Sequence, residues 1–88
     1  MKVRLFGSSG CVDCMQAFVL LNKLQIAYKY IDGHDEDENV QNFCDEQNVD
    51  SFPHLQFLDN FENVIVDHIG PISEEEMTTY LKKYFPNY

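Results

Sequence analysis

Apolar residues change their spacing several times along this chain, and each change marks an element. Val3 and Leu5 alternate with Lys2 and Arg4 up to Phe6, the two-residue period of a strand, and Gly7-Ser8-Ser9-Gly10 ends it. From Cys11 to about Leu24 the period lengthens: Met15, Phe18, Leu21 and Leu24 recur at helical spacing. Ala17, Val19 and Leu20 widen that apolar face, as a helix packed on a sheet requires. Ser9 is the expected N-cap, which puts Cys11 in the first helical turn. Tyr28, Tyr30 and Ile31 then cluster over residues 27–31 as a second strand. Strand, helix and strand in this order predict a parallel unit.

The second half of the chain follows the same logic. Five carboxylates fall within residues 32–38, where they favour the start of a helix by its dipole, and Val40, Phe43 and Cys44 follow at helical spacing to about Asn48. Ser51-Phe52-Pro53 breaks the pattern, and a third strand alternates Leu55 and Phe57 inward with His54 and Gln56 outward. A turn over residues 59–63 leads to a fourth strand at 64–69, close enough to pair with the third as an antiparallel hairpin. Gly70-Pro71 stops it. Ser73-Glu74-Glu75-Glu76 reads as a capping box, with Met77, Tyr80, Leu81, Tyr84 and Phe85 on one helical face behind it. The prediction is one α/β domain over residues 1–88, with no repeat or linker.

Charge narrows the partners. Fifteen acidic residues against six basic ones give −9, which repels phosphate backbones and anionic lipid surfaces, so neither nucleic acid nor membrane is an expected partner. The same charge steers the molecule toward proteins with a basic face. The stretch Met1-Lys2-Val3-Arg4-Leu5-Phe6 lacks the apolar core of a secretory signal, and three cysteines is an odd count for a secreted disulfide framework. A reducing, cytoplasmic setting and a monomer are therefore expected.

Cys11-Val12-Asp13-Cys14 is the chemically loaded stretch. Two thiols three residues apart at a helix start can alternate between dithiol and disulfide, and Cys-x-x-Cys between a strand and a helix is a redox signature. Disulfide exchange needs a thiolate, yet a free cysteine with a pKa near about 8.5 is only roughly 3% ionised at pH 7. First-turn N–H groups and the helix dipole favour the ionised form by roughly 1 kcal/mol. Asp13 opposes them: a carboxylate about 7 Å away costs roughly 0.6 kcal/mol in water and roughly 2.4 kcal/mol at an effective dielectric of about 20. The expectation is a moderately acidified Cys11, tuned by Asp13, in a reductant rather than a strong oxidant. Cys14, one turn on, is placed to attack a mixed disulfide formed at Cys11.

The order β-α-β-α-β-β-α, with Cys11 and Cys14 after the first strand and Pro53 opening the third, resembles the glutaredoxin branch of the thioredoxin superfamily across essentially the whole chain. That resemblance implies a thioredoxin-like fold with a four-stranded mixed sheet and three flanking helices. It implies catalytic roles for Cys11 as nucleophile and Cys14 as resolving thiol, a cis Pro53 facing them, and a role for Gly70 after the hairpin. A cis Pro53 would leave the Phe52 carbonyl and N–H free near the sulfurs to pair with an extended substrate, with the Phe52 ring shaping the groove. The implied activity is thiol–disulfide oxidoreduction on a disulfide-containing protein or a glutathione mixed disulfide, with glutathione as co-substrate and no bound cofactor or resident metal. The pattern also departs from the branch. Val12-Asp13 replaces proline and tyrosine between the cysteines, Ser8-Ser9 replaces the usual lysine, and Gly70-Pro71 replaces a Gly-Gly step with its acidic residue. Reduction by a thioredoxin reductase therefore competes with reduction by glutathione.

The same residues admit other readings. Structural zinc wants four ligands, and no second Cys-x-x-Cys exists. His54 beside Pro53 leaves open a Cys-Cys-His metal site or an iron–sulfur cluster shared by two chains, though a solvent-facing strand histidine is the preferred reading. A redox-inactive adaptor is a third possibility, opposed by the presence of both cysteines. Cys44 on an apolar stripe reads as a buried, inert thiol, and His34 and His68 as loop and strand-surface residues. Asp35, Asp37, Asn39 and Glu46 match calcium-loop positions, but Val40 stands where the sharp turn requires glycine.

Overall fold

A computed structural model describes residues 1–88. The elements in order are β1 (Lys2–Gly7), α1 (Val12–Lys23), β2 (Lys29–Asp32), α2 (Glu38–Glu46), β3 (His54–Leu58), β4 (Val64–Ile69) and α3 (Glu74–Tyr84). The strands form one four-stranded sheet in the order β2-β1-β3-β4. β1 runs parallel to β2 and antiparallel to β3, and β3 pairs antiparallel with β4. This is the predicted mixed sheet. The second strand begins two residues later than expected, because Ile26 is buried in the preceding connection after a positive-φ turn at Gln25.

The two faces of the sheet are covered unequally. Val3 and Leu5 of β1, Leu55 and Phe57 of β3 and Val66 of β4 point to the face packed by Ala17 and Leu21 of α1 and Met77 of α3. Ten buried residues make this main core. The opposite face carries a small apolar cluster of Phe6, Ile31 and Cys44, closed by Val40 and Phe43 of α2 and by Phe52. Beside it lies a polar network. Arg4 Nη1 donates to Gln56 Oε1 at 3.1 Å, and Gln56 Nε2 donates to Gln47 Oε1 and Asp67 Oδ1, each at 3.0 Å.

The structure departs from the sequence pattern at three places. His54 and Gln56 are 2% and 1% exposed, not turned to solvent, because α2 covers the face to which alternation sends them. The strand is buried on both sides, and alternation then separates two interiors rather than core from water. On α1, Met15 and Phe18 lie outside the core at 66% and 46% exposure; the buried stripe runs through Cys14, Ala17 and Leu21 instead. His68 is no surface residue: its Nδ1 meets the Tyr80 hydroxyl at 2.7 Å and its Nε2 meets the Pro71 carbonyl at 2.8 Å.

Candidate active site

The loop from β1 into α1 turns at Gly10, whose φ of +76° lies in the left-handed region that glycine tolerates best. That turn moves the helix start past Ser9. Cys11, not Ser9, is the N-cap: its backbone is extended, and its Sγ accepts a hydrogen bond from the Cys14 N–H at 3.2 Å. The first helical bond runs from the Met15 N–H to the Cys11 carbonyl. The leading sulfur therefore occupies the position where a capping side chain takes up an unpaired first-turn donor.

Cys11 and Cys14 are joined by a disulfide, with Cα atoms 5.2 Å apart. The pair is asymmetric. Cys14 is 5% exposed and packed inward, while Cys11 is half-buried and reachable from outside. Gly7 makes room for the inner sulfur: a Cβ there would stand 3.4 Å from Cys14 Sγ and 3.0 Å from the Tyr30 ring. The strand-ending glycine gave a signal in the sequence, but only the structure shows that it is a close approach. Asp13 follows in the first turn of α1, half-buried.

The other predicted residues gather at the same end of the sheet. The Phe52–Pro53 peptide bond is cis. His54, which follows it, is in register with Phe6, so Pro53 sits beside Gly7, where β1 gives way to the cysteine loop. Gly70, at φ +95°, donates its N–H to the Pro53 carbonyl at 2.8 Å and ties the end of β4 to the proline. Gly33, after β2, donates to the Gly7 carbonyl at 2.8 Å. Neither the N–H nor the carbonyl of Phe52 has a hydrogen-bond partner in the chain. The Phe52 ring is half-buried, edge-on to His34, and lies where any side chain on Gly33 would collide with it.

His54 does not turn toward the cysteines as a third ligand. Its Nε2 donates to Asp67 Oδ1 at 2.7 Å on the α2 face, and its buried Nδ1 has no partner. No three His, Cys, Asp or Glu side chains converge as a metal site. The acidic run serves turns and a cap: Asp32 accepts from the His34 N–H, Asp35 from the Asp37 N–H, and Asp37 caps α2 through the Asn39 N–H. Cys44, 4% exposed, is a thiol pushed up in pKa first by burial and then by Asp45 and Asp32, so it stays protonated at neutral pH.

The sequence matches no protein-family model and no curated protein. Its shape is similar to several solved structures. Thioredoxin 1 from Thermosipho africanus is 19% identical with a TM-score of 0.75, over 98% of this chain and 96% of that one. Thioredoxin f2 from Chlamydomonas reinhardtii is 13% identical with a TM-score of 0.78, over 99% and 81%. Oxidised thioredoxin O2 from Arabidopsis thaliana is 17% identical with a TM-score of 0.74, over 96% and 74%. These neighbours are thioredoxins, and the finer glutaredoxin resemblance is not singled out among them. No helix is long and apolar enough to cross a membrane. The chain has the thioredoxin-like fold, with a disulfide between Cys11 and Cys14 at the start of its first helix.

Proposed function

We propose that this protein is a small dithiol–disulfide oxidoreductase of glutaredoxin or thioredoxin type, acting on disulfide-containing proteins. The observation that carries the reading is the asymmetric Cys11–Cys14 pair, whose outer sulfur accepts a first-turn N–H and whose inner sulfur is buried. A thiolate at Cys11 is stabilised by that donor and by the positive helix end. It attacks one sulfur of a substrate disulfide; the Cys11–substrate bond forms as the substrate S–S bond breaks, and the released sulfur takes a proton from solvent. The Cys14 thiolate then attacks Cys11 Sγ, closing the Cys11–Cys14 disulfide and releasing the second substrate thiol. Two electrons have passed to the substrate, and an external dithiol or two thiols return them.

The cis Phe52–Pro53 bond and the unpaired Phe52 backbone groups support a substrate strand laid beside the sulfurs, with Pro53 and Gly70 shaping the floor. Val12-Asp13 between the cysteines and the absence of a lysine at Ser8-Ser9 weigh toward thioredoxin reductase over glutathione as the reductant. A cytoplasmic setting fits such a reductant.

The test is insulin reduction followed by turbidity, run once with glutathione and its reductase and once with thioredoxin reductase and NADPH. Turnover with the second system, and little with the first, is the expected result. A disulfide that neither system reduces would overturn both reductant assignments.

A further inference from the structure

The apolar side chains that α1 leaves outside the core form a ridge that starts between the two cysteines. Val12, Met15 and Val19 are 67%, 66% and 58% exposed, at helical spacing along one side. With Gln16, Leu20 and Ile72 of the β4–α3 connection they line an open groove of about 420 Å3. Across Met15 a smaller cleft of about 130 Å3, lined by Leu5, Ser8, Cys14, Met15, Phe18 and Tyr30, runs down to the inner sulfur. Continuous apolar surface beside a reacting group is recognition surface.

The electrostatic setting says what fits there. No charged side chain lines the groove. Asp13 stands in the first turn of α1, Glu74 and Glu75 open α3, and Lys23, the lysine of α1, is already paired with Glu74 at 2.6 Å. The whole molecule carries −9. An apolar occupant flanked by cations gains both burial and attraction, whereas a small anionic thiol gains neither.

Resting on the oxidoreductase reading above, we propose that this groove docks a disulfide-bearing segment of a partner protein in which apolar side chains are flanked by lysine or arginine. The segment lies along α1 and presents its disulfide to Cys11; the Cys11–partner bond forms as the partner's S–S bond breaks, and Cys14 completes the exchange. Apolar contact sets the affinity, and charge sets the rate of encounter and its dependence on salt.

The experiment uses the reduced protein in single turnover, with formation of the Cys11–Cys14 disulfide read by acid quench and mass spectrometry. Three oxidants are compared: two disulfide peptides with one apolar core, flanked by lysines or by glutamates, and hydroxyethyl disulfide as a small neutral reference. The lysine-flanked peptide reacts about tenfold faster than the glutamate-flanked one at low ionic strength, and the gap narrows at high salt. Val19→Gln and Met15→Gln, which remove apolar contact without adding charge, each lower the ratio of peptide rate to hydroxyethyl disulfide rate by about fivefold or more. Equal rates for the two peptides, or an unchanged ratio in both variants, overturn the docking site and leave the oxidoreductase reading standing. Failure of the unmodified protein to be oxidised by any of the three overturns both.

Discussion

A sulfur that caps a helix receives what an ionised thiol needs, a backbone donor and the positive end of a row of peptide dipoles. Cys11 has that position through the Cys14 N–H, and Asp13 lies in the same turn, where we propose that its carboxylate opposes the thiolate. Replacing Asp13 by Asn is therefore expected to lower the Cys11 pKa in the reduced protein, read as thiolate absorbance against pH; an unchanged titration contradicts the electrostatic account. On the other face, Asp67 accepts from both His54 and Gln56. Asp67→Ala leaves those buried donors without a carboxylate and should lower stability by about 1–3 kcal/mol in urea unfolding. The cysteine pair and the cis proline were legible from spacing and resemblance. His54 was not, because local alternation says which side of a strand a residue takes and nothing about what lies on that side.

Among the helices, α3 carries its boundary most plainly in its own residues. Ser73 Oγ accepts from the Glu76 N–H, and the Glu76 carboxylate accepts from the Ser73 N–H, each at 3.1 Å. These bonds hold the Glu76 carboxyl below its usual range. Ser73→Ala should cost about 1 kcal/mol, seen as a lower thermal midpoint with the fold retained. α1 was harder. Its sequence is apolar nearly all round, so periodicity found the helix without choosing which stripe faces the sheet. The true stripe uses small side chains, Cys14 and Ala17, that let the helix lie close, and it leaves the larger Met15 and Phe18 outside. Its N-cap lies two residues past Ser9 because Gly10 absorbs the turn, and the capping pattern misses it because cysteine is not a usual capping residue.

The whole molecule brings four chain segments to one end of its sheet: Gly7 before the cysteine loop, Gly33 after β2, Pro53 before β3 and Gly70 after β4. That convergence belongs to topology, since no single segment states it. It sets the disulfide of α1 beside a backbone edge with unpaired groups, on a body that carries a net charge of −9. The central claim is that the outer sulfur attacks and the inner one resolves. Mixing reduced Cys14→Ser protein with a disulfide substrate and weighing the product tests it most directly. The account predicts a stable mixed disulfide at Cys11, and no adduct when Cys11→Ser is treated in the same way. An adduct formed at Cys14 in the Cys11→Ser protein, at a rate matching that at Cys11, would contradict it.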